Sequence, residues 1–538
     1  MESIIVLVAC LALLMLAYRY YSPLVARWLG VEPDRPTPSH TMADGVDYCP
    51  AKAPVLFGHH FASIAGAAPI VGPIIAAVYG WLPVLLWVML GGIFVGAVHD
   101  MSALIASIRH GGRSIGEVID KQVGRTGKLL FLFFLWSALV LLIAVYMDVV
   151  AKTFASVPSA GSASSLFVAL AVLFGLAIYR FKLPLGWVTL VSILILAICI
   201  AAGWRWPLEL STRTWMIMLI VYISVATVAP VWLLLQPRDY LNSFLLYALL
   251  VITIIGIFAA HPGVQFPAFI TWTDPQLGFI FPILFVTVAC GAISGYHSVV
   301  ASGTTAKQLD RESHARPIGY GGMLVESLVS VLVIIVVMML SKSEFGAALS
   351  QGGPVTLFSR GVGTLLSSFH IDPFHGTTFA ALVISAFVLT TLDTATRLCR
   401  FAFQEFFAPA KGGTPTLLSK NRYVATAVTV GAASALAFSG EWKQIWPIFG
   451  SANQLLAALA LLAVSLWLRH LGRKYLFLVL PMIAMFLITV SAFSVIIYEN
   501  IERANFPMAA IAAALFLLSL VLIVASVNSV RRAPAPQK

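Results

Sequence analysis

Gly58-His59-His60-Phe61-Ala62-Ser63-Ile64-Ala65-Gly66-Ala67-Ala68-Pro69-Ile70-Val71-Gly72-Pro73 is the stretch on which the fold turns. It sits in the middle of the apolar run 54–79, yet it holds two prolines, three glycines and a histidine pair. Proline removes a backbone donor and clashes with the preceding turn, and glycine weakens a helix further. Freed backbone groups are costly in hydrocarbon, so a broken span is tolerated only when buried in protein or lining a cavity. In secondary transporters such breaks form the solute and ion site, because half-helix N-termini favour anionic groups and exposed carbonyls coordinate cations. His59, His60, Ser63, Gly66, Ala67, Pro69 and Gly72 are therefore candidate solute-binding positions. A plain proline kink is the competing reading, and the adjoining histidines argue against it.

The composition around this stretch belongs to a membrane protein: of 538 residues, 60% are hydrophobic and 10% charged. Soluble domains carry about a quarter charged residues. The longest polar stretches, 27–52, 109–128, 301–317 and 341–375, all lie between apolar runs, which predicts a single integral-membrane domain over 1–538. A net charge of +11 is spread over short loops, a distribution that points away from nucleic acid and towards loop asymmetry across a bilayer. The five cysteines show neither metal-ligand spacing nor a disulfide framework, and no cofactor is implied. The run 4–18 lacks a basic start and a small-residue cleavage site, so it reads as a membrane helix, not a signal peptide.

Apolar stretches long enough to cross a bilayer number about 15, each roughly 17–25 residues. They fall near 3–20, 54–79, 81–108, 128–156, 164–180, 185–203, 216–235, 240–260, 278–303, 318–341, 377–400, 422–438, 447–468, 475–497 and 507–529. Basic residues concentrate in alternate loops: Arg109 to Lys128, Arg180/Lys182, Arg238, Lys307 to Arg316, Lys411 to Arg422, Arg469 to Lys474 and Arg531/Arg532. The intervening loops, including 341–375, hold far fewer. The first set is then cytoplasmic, with the N-terminus outside and the C-terminus inside.

Two further segments carry groups that a space-filling span would avoid. In Ala289–Ser298, Gly291 and Gly295 weaken the helix, while Ser294, Ser298 and Ser302 share a face by their spacing of four. Ser294, Gly295, Tyr296, His297 and Ser298 are the matching solute-site candidates, against a plain small-residue packing face. In Thr390–Arg397, hydroxyls and a carboxylate supply hard oxygens suited to sodium, so Thr390, Thr391, Asp393 and Thr394 are ion-site candidates. The competing reading pairs Asp393 with Arg397, four residues on. Asp100, beside His99, and Glu326 are ionisable groups inside predicted spans. Glu326 has no basic residue within a turn in sequence, which favours it or the histidines as proton carrier over Asp393. Gln236-Pro237-Arg238-Asp239-Tyr240 reads as a loop that caps helix ends or gates them.

Gly58–Ile64, Val98-His99-Asp100, Ser107–His110, Pro230–Asn242, Cys290–Ser298, Thr390–Arg397 and Asn453–Leu456 together resemble the carbon starvation protein CstA family. The match runs from about residue 40 to about 470. The resemblance implies bacterial uptake permeases, described as peptide transporters and in some members as proton-driven pyruvate symporters. It also implies an all-α fold of the amino acid–polyamine–organocation superfamily, a LeuT-like inverted repeat of broken helices with extra helices added. The expected division is an extra N-terminal helix (1–20), a first repeat with additional helices (54–260), a second repeat (278–468) and two C-terminal helices (475–529). The helix 278–303 pairs with 54–79 in this scheme, and 216–235 is the alternative partner.

These readings converge on a multi-pass protein of the bacterial inner membrane. It imports a small organic solute, pyruvate or a related carboxylate, by proton or sodium symport; short-peptide uptake is the alternative. A membrane-embedded haem or metal enzyme is the more distant rival. It is disfavoured because no His-Glu-x-x-His occurs and because adjacent His59 and His60 cannot share a helical face. A membrane sensor is the third class. Nothing in the sequence specifies an oligomeric state.

Overall fold

The structure, a computed structural model, describes residues 2–44, 48–230, 233–409, 416–439 and 442–532. Lys411, Val231 and Trp232 lie outside the described residues, as do the side chains of Gln236, Arg531 and Arg532.

The chain is almost wholly helical. In order, the main helices are α1 (Glu2–Leu29), α2 (Ala53–Ile64), α3 (Ala68–Tyr79), α4 (Trp81–Arg109), α5 (Arg125–Ser156), α6 (Pro158–Arg180), α7 (Leu185–Arg205), α8 (Thr212–Val228) and α9 (Leu235–Ala260). They continue with α10 (Ile280–Thr287), α11 (Gly295–Gly303), α12 (Gly321–Met338), α13 (Lys342–Leu366), α14 (Pro373–Phe406), α15 (Arg422–Ala437), α16 (Trp442–His470), α17 (Leu476–Glu502) and α18 (Phe506–Arg532).

Among the described residues, eleven helices are long and apolar enough to cross a membrane, and the bent pair α2–α3 makes a twelfth. The protein is a multi-pass membrane protein. The count of about 15 spans expected from hydropathy is not reached, for a local reason in each case. The expected 216–235 is the short α8, the expected 422–438 is the 16-residue α15, and 278–303 is divided between α10 and α11. Residues 341–375, expected as a polar loop, contain the helix α13 instead. Its start is fixed by a capping box, in which Ser341 accepts from the Glu344 N–H and Glu344 reaches back. Gly353, at φ 75°, then bends it before Pro354, and its second half buries Val355, Phe358, Val362 and Leu365 against the core.

The longest helices, α5 and α14, pack along each other, with α13 laid on α14 and α17 on α16. On the outer side of this core, α7 leaves Trp187, Leu194 and Ile198 exposed, as lipid contact requires. Beyond the spans, Arg109 at the end of α4 donates through Nη2 (2.6 Å) and Nε (3.1 Å) to the two oxygens of the fully buried Glu312. The same guanidinium approaches Glu32 at 3.4 Å and holds that carboxyl below its usual range. Arg473 donates to the Leu29 carbonyl (2.7 Å), so α1, α4 and the turn after α16 are tied together at one end.

Both sequence-predicted breaks are present. The first opens at Ala65, where ψ turns to 67°, and α3 resumes at Ala68 with the axis bent by 44°. Pro69 falls in the first turn of α3, where a proline costs no hydrogen bond. The second leaves Ile293 and Ser294 extended, and α11 starts afresh at Gly295. The two broken segments touch. A Cβ on Gly72 would stand 2.5 Å from the Thr287 carbonyl oxygen and 3.2 Å from the Val288 Cα, both backbone atoms that cannot swing away. Gly72→Ala is therefore expected to destabilise the purified protein by about 1–3 kcal/mol, the usual cost of overpacking. Gly431→Ala, with nothing within 4 Å of its Cβ, should be near neutral. Thermal unfolding in detergent checks the difference, and equal melting temperatures would refute the close contact.

Candidate functional site

A break in a membrane helix leaves orphan carbonyls on one half and orphan N–H groups on the other. At the second break these are met mainly from α16. Gln454 Nε2 donates to the Phe285 carbonyl (2.6 Å), and Trp446 Nε1 donates to the Thr287 carbonyl (3.1 Å). Asn453 Oδ1 accepts from the Tyr296 N–H (2.9 Å), so it caps α11 from a different helix. Its amide also donates to Ser294 Oγ (3.1 Å). From α12, Ser327 donates to the Gly291 carbonyl (3.1 Å) and Ser330 donates to the Pro69 carbonyl of the first break (2.9 Å). One face of α12 thus holds both breaks.

The first buried polar network runs through α4, α11 and α12. His99 Nδ1 lies 2.8 Å from Asp100 Oδ1, and Asp100 Oδ2 lies 2.7 Å from His297 Nδ1. His297 Nε2 approaches Glu326 Oε2 to 3.1 Å without the alignment of a hydrogen bond, so both Glu326 oxygens stay without a hydrogen-bond partner. The four side chains are at most 1% exposed. His60, from α2, points into the same region and meets Thr305 Oγ1 at 2.8 Å.

The second network lies under the first break, and sequence reasoning missed its centre. Arg238 and Asp239 do not lie in a loop that caps helix ends, as the sequence suggested. They form the buried first turn of α9, at 0% and 2% exposure. Arg238 Nη1 donates to Asp393 Oδ2 and to the Tyr222 hydroxyl, and Tyr222 in turn donates to Asp393 Oδ2 (2.8 Å). The expected Asp393–Arg397 pair does not form. Arg397 Nη2 instead donates to the carbonyls of Ala226 and Ala229 (both 2.9 Å), closing the C-terminal end of α8. Asp239 stands 3.7 Å from both Arg238 Nη2 and His59 Nδ1. Asn242 Nδ2 donates to Thr390 Oγ1 (2.8 Å). Buried and without a hydrogen-bond partner here are Arg238 Nε and Nη2, Asp239 Oδ1, Asn242 Oδ1, Thr391 Oγ1, Asp393 Oδ1 and Tyr296 Oη.

Between the networks and α13 lies a small apolar cavity of about 20 Å³, lined by Gly66, Pro69, Leu249, Thr253, Leu332 and Phe358 among others. That is room for about one water. Of the predicted solute-site residues, Gly66 and Pro69 line it, whereas His59, His60, Ser294, Tyr296 and His297 do not. Ala67 sits in the turn of the break and Gly72 against Thr287. Ser63 donates to the His59 carbonyl and Ser298 to the Gly295 carbonyl, so both serve their own helices. Gly295 lets α11 and α16 approach, since a Cβ there would overlap the Asn453 carbonyl oxygen. Of the predicted ion-site residues, Asp100 and Glu326 join the first network, Thr390 and Asp393 the second. Thr391 abuts Gly66, and Thr394 is buried beside them on α14.

Removing a partner from a buried N–H costs about 1–3 kcal/mol. Asn453→Ala should therefore destabilise the protein by that amount and speed amide exchange at Tyr296 above that of the α16 helix amides. Hydrogen-exchange mass spectrometry of peptides spanning 290–300 reads this directly. Unchanged exchange there would show that Asn453 is not the cap.

A helical membrane core with two interrupted helices in contact, and buried charges nearby, is an architecture that secondary transporters use. The chain matches the family model described as carbon starvation protein CstA over residues 2–351 and 343–492, and it belongs to that family. It is 32% identical to the peptide transporter CstA of Bacillus subtilis over 98% of this chain and 97% of that one. It is also 32% identical to the pyruvate/proton symporter BtsT of Escherichia coli, over 85% and 76% of the two chains. The fold is similar to the crystal structure of the Eremococcus coleocola manganese transporter, with a TM-score of 0.53 at 12% identity over 91% of this chain and 99% of that one. These proteins are all transporters, which points to transport and away from the enzyme reading.

Proposed function

We propose that the protein is an ion-coupled importer of a small organic solute in the bacterial inner membrane, with the N-terminus outside and the C-terminus in the cytoplasm. Pyruvate or a related carboxylate is the favoured solute. The observation that carries this reading is the contact of two helix breaks at a point flanked by two buried, incompletely paired charge networks. The cavity at the first break holds little more than a water, so a solute enters only as the helices part, which is what alternating access demands. The name of the Escherichia coli relative supports a proton-driven carboxylate, and the names of most other relatives support short peptides as the second reading. In the division that fits best, 54–260 is the first repeat with additional helices and 278–468 the second. Residues 1–20 and 475–529 stand outside the repeats, and all belong to one membrane domain.

Proteoliposome uptake of labelled pyruvate and of dipeptides, under separate proton and sodium gradients, tests the solute and the ion together. Gly66→Val should abolish uptake with the protein still in the membrane. A Cβ there would lie 2.8 Å from Thr391 Oγ1 and 3.0 Å from the Tyr146 ring, at the heart of the break.

For the coupled ion, the chain His99–Asp100–His297–Glu326 is the proposed proton route, because Glu326 ends it with two oxygens free of hydrogen bonds. Asp393, held by Arg238 and Tyr222, is assigned to structure or to a cation site with Thr390, Thr391 and Thr394. Glu326→Gln should lose proton-driven accumulation at least tenfold more than it loses solute exchange, and Asp393→Asn should lower both alike. The reverse pattern would overturn the assignment.

A further inference from the structure

Immediately around Asp239 the charges do not balance, because Arg397, which acts on Asp393 from one turn away, is turned to the Ala226 and Ala229 carbonyls. Arg238 and Asp393 form a close pair reinforced by Tyr222, so the guanidinium and that carboxylate cancel. Asp239 is left over. It is 2% exposed, its Oδ1 has no hydrogen-bond partner, Arg238 Nη2 is 3.7 Å from it, and the neutral Thr390 hydroxyl is the further polar group beside it. The titratable and charged groups that face it are Arg238 on its own helix, His59 on α2, Tyr296 on α11, Asp393 on α14 and Tyr222 on α8. With Asp239 itself included, one permanent cation stands against two carboxylates. An uncompensated carboxylate in such a place is neutralised in practice by gaining a proton.

Resting on the reading of the chain as an ion-coupled transporter, we propose that Asp239 carries an exchangeable proton, passed to and from it through His59, as a second ionisable site distinct from Glu326. The proton leaves the Asp239 carboxyl for His59 Nδ1, 3.7 Å away, as the two close to hydrogen-bond distance, and leaves the imidazole through Nε2. His59 is 24% exposed where Asp239 is almost wholly covered, so the imidazole is the more accessible of the two. Nε2 is covered in this conformation, so exchange waits on movement of α2. Tyr296 and Thr390 connect the site to the second break and to α14, so its charge is felt where the solute would bind.

Infrared difference spectra of the full chain in lipid, recorded against pH, read the protonated carboxyl directly and need no solute. The wild type should show a titrating carboxylic-acid carbonyl band that is absent in Asp239→Asn. The band should persist, shifted, in Asp239→Glu and should survive in Glu326→Gln. The Glu variant also guards against simple misfolding of the Asn variant. In proteoliposomes, Asp239→Asn should cut pH-gradient-driven accumulation at least tenfold more than exchange, and His59→Gln should slow recovery after a pH jump. A band unchanged in Asp239→Asn, or one that responds to sodium and not to pH, would overturn the proposal. An Asp239 band in a wild type that transports without any proton gradient would uphold the protonation and overturn proton coupling.

Discussion

Backbone hydrogen bonding inside a membrane governs this structure. A helix that unwinds in hydrocarbon exposes carbonyls and N–H groups with no water to receive them. Two helices here unwind at the same place, and the helices around them are built to answer that. Gln454, Trp446 and Asn453 on α16, with Ser327 and Ser330 on α12, reach the orphan groups one by one. The glycines serve the same end. Gly72 and Gly295 let backbone approach backbone, which brings the broken segments into contact and seats α11 on α16.

The breaks were legible in the sequence because proline and glycine act locally. Pro69, Gly66 and Gly291 weaken a helix wherever it sits, and an apolar run marks where it sits. The long spans were legible for the same reason, and the family resemblance rested on motifs surrounding those residues. Hydropathy failed where length and polarity part company. Helix α13 is too polar to register, although Ser341 and Glu344 spell a capping box, and α8 and α15 are too short to stand as full spans. The site was legible residue by residue but not in its pairing. Asp393 has Arg397 one turn away in sequence, yet its partner is Arg238, 155 residues distant. Arg238 counted as a loop cation because its charge is the usual mark of a loop. The one available signal was its position, joined to Asp239 at the head of an apolar helix.

Buried ion pairs are a poor means of stabilising a fold, since the desolvation of each partner offsets much of their attraction. Two networks of them in one membrane core call for a reason beyond stability. The first, around His297, can balance its carboxylates with protons on imidazoles alone. The second contains a permanent cation, so its charge can change only at its other groups, the carboxylates Asp239 and Asp393, the Tyr222 hydroxyl and the His59 imidazole. A chain that needed only to hold its helices together would do so with apolar contacts, as α5 and α14 largely do.

Backbone and side chains at the breaks are partnered unequally. At the second break the carbonyls of Phe285, Thr287 and Gly291 and the N–H of Tyr296 all have partners on α12 or α16. Thr391, Asn242, Asp239, Asp393 and Arg238 beside the first break keep side-chain atoms with none, and so do Tyr296, His297 and Glu326 near the second. Each such atom carries a desolvation cost that a bound ion, a solute or a changed helix position could relieve. The free energy available for a transport step therefore resides in side chains of both networks, while the backbone of α10 and α11 is fastened to α12 and α16. A ligand shifts a conformational equilibrium only through what it binds differently in the two states. In this protein the unpartnered side chains of both networks are where such differences can arise.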